Sequence, residues 1–228
     1  MSVVVLVGSL GSTVEMWEPQ LAALAAHEVV RLDHPGHGGA PVVPVANVGD
    51  LARRVLEHVD AERFAFVGLS LGGAIGMRLA LDAPERVEKL VLASTAPRFG
   101  EPTMWVQRAA TVRAEGLEAI VDAVLERWFT PAFADVRRYR EMFLSTDREG
   151  YARCCDALAH WDAREELDRI AAPTLVISGA DDPSAPPEHG ELIASRIAGA
   201  RHETIAGARH LANVEFADEF NALLTEFV

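Results

Sequence analysis

Short apolar runs recur along the chain, each about one strand long, and between them apolar positions repeat every three to four residues. The runs Val3–Val7, Val29–Leu32, Phe64–Val67, Leu90–Ala93, Thr174–Ser178 and Glu203–Ile205 predict strands. The stretches Met16–Ala26, Val48–Val59, Gly72–Asp82, Pro187–Arg196 and Phe216–Val228 predict helices. Nearly continuous apolar strands joined by helices imply an α/β fold: a mostly parallel sheet of about six strands, covered on both faces.

The alternation lapses once. From about Gly100 to Ile170 no strand pattern occurs, and amphipathic segments such as "LEAIVDAVLERWF" and "YARCCDALAHW" take its place. The expected organisation is an α/β core formed by residues 1–99 and 171–228, with residues 100–170 inserted as a helical cap. A cap over the carboxyl ends of the strands would close a pocket where open α/β sheets bind ligands.

Composition narrows the function classes. The chain has 228 residues, half of them hydrophobic, which suits one domain with a small insertion. A net charge of −13 disfavours nucleic acid and anionic membrane as partners, and an anionic ligand would need local cationic or amide donors. No apolar run reaches membrane-spanning length, and "MSVVVLVGSLG" lacks the basic lead-in and cleavage site of a signal peptide, so a cytoplasmic location is expected. The adjacent Cys154 and Cys155 fit a reducing compartment, and no metal-type spacing of cysteine and histidine occurs.

Candidate chemistry begins at "FVGLSLGGAIG", which sets Ser70 between Gly68 and Gly72 at G-x-S-x-G spacing. The bare pattern is a weak signal, but here it follows a strand and opens a helix, the setting of a nucleophile elbow. Two glycines clear room beside a sharp turn, and the next helix aims its free N–H groups at the site. A serine hydroxyl needs a base, and the base needs an orienting acid. "PTLVISGADDPSAPPEH" places Asp181 and Asp182 after a strand, and "HETIAGARHLANVE" places His210 after the next one. Among the eight histidines only His210 occupies the loop after the last strand. Asp182 is the expected partner of His210, with Asp181 helping the turn or solvated. For the oxyanion, Leu71 follows the serine and Ser9 lies in "VGSLGST" after the first strand, so their N–H groups are the expected donors.

Serine, acid and histidine in this order resemble the α/β-hydrolase superfamily, and "RLDHPGHGGAP" resembles its D-x-P-G-H-G turn, where His37 is expected to be structural. The segments "SLGSTVEMWEPQL", "APERVEKLVLASTAPRFG", "ERWFTP", "GYARCCDALAHWDAREEL" and "HLANVEFADEFN" resemble the 3-oxoadipate enol-lactonases. They run the length of the chain and include the cap. Members of that family carry two more strands ahead of the oxyanion loop. Their absence here, at a sheet edge, is expected to affect stability or oligomerisation more than chemistry, and a start codon assigned too late would account for it equally well.

The resemblance implies hydrolysis of a small anionic lactone, an unsaturated five-membered ring with a carboxymethyl group, to 3-oxoadipate without metal or organic cofactor. It also implies a pocket-wall role for Trp128, whose plainer reading is cap-core packing. Arg108, Arg113, Arg127 and Arg153 are all available for the carboxylate, and the sequence selects none of them. Trp17 is expected in the core. A carboxylesterase of simpler substrates, or a binding protein on the same fold, would share many of these features.

Overall fold

Six strands, all parallel, form one sheet in a computed structural model that describes residues 2–228, with Met1 outside the described residues. They are β1 (Val3–Val7), β2 (Glu28–Leu32), β3 (Phe64–Leu69), β4 (Val87–Ala93), β5 (Thr174–Gly179) and β6 (Arg201–Ile205). Their order across the sheet is β2-β1-β3-β4-β5-β6. The central strand β3 is buried at every position, as expected where helices cover both faces, whereas the edge strand β2 is partly open throughout.

Between the strands run α1 (Glu18–Leu21), α2 (Val48–His58) and α3 (Leu71–Asp82). Between β4 and β5 no strand intervenes, only α4 (Pro102–Glu115), α5 (Val121–Trp128), α6 (Val136–Leu144) and α7 (Arg148–Ala159). The chain closes with α8 (Pro187–Arg196), α9 (Ala212–Glu215) and α10 (Ala217–Phe227). The long helix expected over Met16–Ala26 is not formed. A 3₁₀ turn over Val14–Trp17 leads into the one-turn α1, and the alanine-rich remainder is a series of turns. There the His27 N–H reaches back only to the Leu24 carbonyl, at 2.9 Å, so the segment tightens to bury Leu24 and enter β2. Tertiary packing overrides helix propensity here. Trp17 is fully buried and packs on Phe220 of α10 at 6.4 Å between ring centroids.

Candidate active site

The turn from β3 to α3 sets the position of Ser70. Its backbone lies at φ 59° and ψ −112°, a conformation that costs a non-glycine residue about 1–3 kcal/mol unless its surroundings enforce it. Enforcement is visible on both sides. The Ser70 N–H donates to the Ala93 carbonyl at 2.9 Å, and Thr95 Oγ1 donates to the Ser70 carbonyl at 2.7 Å. The flanking glycines are required by contact: a Cβ on Gly68 would lie 2.2 Å from the Gly72 carbonyl oxygen, and one on Gly72 would lie 2.0 Å from that of Val7.

Asp182 follows β5 and is buried, whereas its neighbour Asp181 is exposed. Oδ2 of Asp182 accepts from Nδ1 of His210 at 2.8 Å, and Oδ1 accepts from the N–H groups of Ser184 at 2.8 Å and Ala185 at 3.1 Å. Burial pushes the Asp182 carboxyl up. The His210 ring and the two amides more than offset this and hold it below its ordinary value. With Nδ1 facing the carboxylate, Nε2 is the nitrogen of His210 left to exchange a proton elsewhere. The loop carrying His210 is tied to α5, because the His210 and Leu211 N–H groups donate to the Arg127 and Trp128 carbonyls at 3.3 and 3.1 Å. Asn213, three residues on, is buried and donates to the Met16 carbonyl at 2.9 Å.

After β1 the chain forms the loop Gly8–Ser12. The Ser9 carbonyl accepts from both the N–H and the hydroxyl of Ser12, at 3.1 and 2.8 Å, which turns the loop back on itself. Among the described residues, neither the Ser9 nor the Leu71 N–H donates to a protein acceptor, as an oxyanion site requires. Two buried histidines brace this loop, a contribution that sequence reasoning missed beyond a structural role for His37. His34 donates from Nε2 to the Gly8 carbonyl at 2.8 Å, and His37 accepts at Nε2 from the Gly11 N–H at 3.0 Å. Burial lowers His34 to about 4; burial, and then its proximity to His34, lowers His37 to about 3. The D-x-P-G-H-G pattern was the available signal, but which backbone atoms its imidazoles reach depends on tertiary placement.

Ser70, His210, Ser9 and Trp128 line one small cavity of about 60 Å³, together with Leu10, Phe99, Trp105, Arg108, Val124, Arg127, Tyr151 and Ser184. Leu71 lies outside that lining and is the first residue of α3. Trp128 also packs edge-on against Phe143 at 5.7 Å, so both roles considered for it coexist. Of the four arginines available for a carboxylate, Arg108 and Arg127 line the cavity and Arg113 and Arg153 do not. A larger cavity of about 240 Å³ beside β2 and α2 has neither serine nor cysteine in its lining.

The chain matches the family described as alpha/beta hydrolase fold over residues 2–217. It is 36% identical over 223 residues to "3-oxoadipate enol-lactonase 2" of Acinetobacter baylyi, covering 93% of this chain and 83% of that protein. Two solved structures superpose closely. A hydrolase from Pseudomonas aeruginosa does so with a TM-score of 0.94 at 43% identity, covering 99% of this chain and 89% of the other. The enol-lactonase from Burkholderia xenovorans does so with a TM-score of 0.95 at 40% identity, covering 99% and 90%. No helix among the described residues is long and apolar enough to cross a membrane.

Proposed function

Because the chain belongs to the α/β-hydrolase fold family, we propose that it is a serine hydrolase that opens 3-oxoadipate enol-lactone to 3-oxoadipate, in the catabolism of aromatic compounds. The observation that carries the chemistry is the meeting of Ser70 and His210 in one cavity, with Asp182 behind the imidazole at 2.8 Å. Likeness to two enol-lactonases along nearly the whole chain, cap included, supports the substrate.

Ser70 Oγ attacks the lactone carbonyl while His210 Nε2 takes its proton, and Asp182 stabilises the imidazolium that results. The Ser9 and Leu71 N–H groups hold the tetrahedral oxyanion. Collapse breaks the ring carbon–oxygen bond and expels an enol oxygen, which regains a proton and tautomerises to the ketone. The leaving group remains tethered through the acyl-enzyme. Water, deprotonated by His210, then cleaves the Ser70 ester and releases the dicarboxylate. The chemistry needs no cofactor.

The test is loss of the ultraviolet absorbance of the enol-lactone on adding enzyme, compared with short p-nitrophenyl esters. A higher kcat/KM on the lactone is expected. Rates orders of magnitude greater on the simple esters would overturn the lactonase assignment and leave a carboxylesterase.

A further inference from the structure

The cavity carries two guanidinium groups and no carboxylate. Arg108, from α4, and Arg127, from α5, line it with Ser70 and His210, and no aspartate or glutamate does so. In a chain of net charge −13 acidic partners are plentiful, and nearby arginines have taken them. Arg113 is held by Glu149 at 2.9 Å and Asp156 at 2.7 Å, and Arg153 by Glu149 at 2.9 Å. Among the described residues, neither Arg108 nor Arg127 has a carboxylate within 4.0 Å.

Arg108 is held in place and Arg127 is partly withdrawn from solvent. The Arg108 guanidinium lies over the Trp105 ring, 4.9 Å from its centroid, and Trp105 is itself fixed by donating Nε1–H to the Phe99 carbonyl at 2.7 Å. Arg127 is half-buried at the end of α5, with its own carbonyl accepting the His210 N–H at 3.3 Å. Burial, and then the like charge of Arg108, hold the Arg127 guanidinium below its ordinary pKa. Two like charges that share a partly desolvated cavity repel each other, and an anion between them relieves that cost.

We propose that Arg108 and Arg127 together bind the free carboxylate of the substrate, so that the cap selects lactones and esters bearing an anionic arm. The proposal rests on the hydrolase reading above and adds the residues that set its specificity. A guanidinium pairs with a carboxylate through two parallel N–H donors, and such a contact, made equally in ground and transition states, acts mainly on KM.

Wild type, Arg108→Gln and Arg127→Gln are compared on the carboxymethyl enol-lactone and on 5-methyl-2(3H)-furanone, the same ring with a neutral methyl arm. The ratio of kcat/KM between charged and neutral lactone is expected to fall by roughly 10–100-fold in each variant, mostly through KM, with partial recovery in Arg108→Lys and Arg127→Lys. An unchanged ratio, or equal losses on both lactones, would overturn the assignment. A second arm does not depend on lactone turnover: adipate is titrated as an inhibitor of p-nitrophenyl acetate hydrolysis. Inhibition weakened by about tenfold or more in the Gln variants supports the pair, even if neither lactone is a substrate. Inhibition absent in wild type, or equal in all forms, rejects it while leaving the hydrolase intact.

Discussion

The N–H of Gly11 donates to Nε2 of His37 at 3.0 Å, so the loop that presents the Ser9 amide is held by an imidazole able to accept only while neutral. His34 holds the other end of the loop through the Gly8 carbonyl. Together these contacts tie the rigidity of the candidate oxyanion site to pH.

Acid should therefore destabilise the protein. In the unfolded chain both imidazoles take up protons near pH 6.5, whereas in the folded state burial delays this to about 4 for His34 and about 3 for His37. Between those limits the unfolded state binds more protons, so stability falls as pH drops from 6.5 and is insensitive to these two groups above it. Asp182, held low, adds a loss in the same direction below its ordinary value of 3.8. Urea midpoints measured from about pH 8 to about pH 4 should stay level and then decline. Equal midpoints throughout would contradict the placement of the two histidines.

Replacing His37 tests the brace directly. His37→Phe leaves the buried Gly11 N–H without its acceptor, at a cost of about 1–3 kcal/mol in unfolding free energy. Turnover by the fraction that remains folded should also drop, because the Ser9 amide is no longer held in register. Denaturation and active-site titration on the same sample separate the two effects.

The elbow stores strain that a glycine would release. Ser70→Gly is expected to gain about 1 kcal/mol of stability, since φ 59° costs glycine little, while losing at least about a thousandfold in kcat. Ser70→Ala should lose the same activity without the gain. Thermal melts beside ester turnover check both, and survival of turnover in either variant would remove Ser70 as the nucleophile.

The two aspartates make a matched pair. Asp182→Asn removes the charge behind His210 and should lower kcat by roughly 10³–10⁴-fold. Asp181→Asn, at an exposed position, should stay close to wild type. Steady-state kinetics on one substrate decide between them.

Glycine contacts predict a similar contrast. A Cβ on Gly72 would sit 2.0 Å from a backbone oxygen that cannot move aside, whereas one on Gly39 meets nothing within 4 Å. Gly72→Ala should lose more than about 3 kcal/mol or fail to fold, and Gly39→Ala should stay within about 0.5 kcal/mol of wild type. Chemical denaturation of the two proteins measures this.

Much of the molecule was legible in one dimension. The four inner strands were readable from their apolar runs, because a parallel strand buried on both faces has few alternatives, whereas the edge strands β2 and β6 are more polar and partly open. The gap in that pattern marked the helices α4 to α7. Ser70 directly follows β3, and Asp182 and His210 lie in the loops after β5 and β6, where local sequence and position in the sheet coincide. The helix expected over Met16–Ala26 was misread because its alanines favour helix locally, while the burial of Leu24 and the entry into β2 are decided by distant residues.

The sequence by itself therefore determined the order of elements, the turn that strains Ser70 and the identity of the groups that meet there. Only the tertiary structure decided which of the four available arginines line the cavity, and which backbone atoms His34 and His37 brace. The physical reason is range. Periodicity and turn chemistry act over a few residues, whereas an arginine is left unpaired, or an imidazole kept neutral, by what packs against it from far along the chain. Arg113 has its acids on α7, the brace of Gly11 comes from the turn after β2, and no local pattern encodes either.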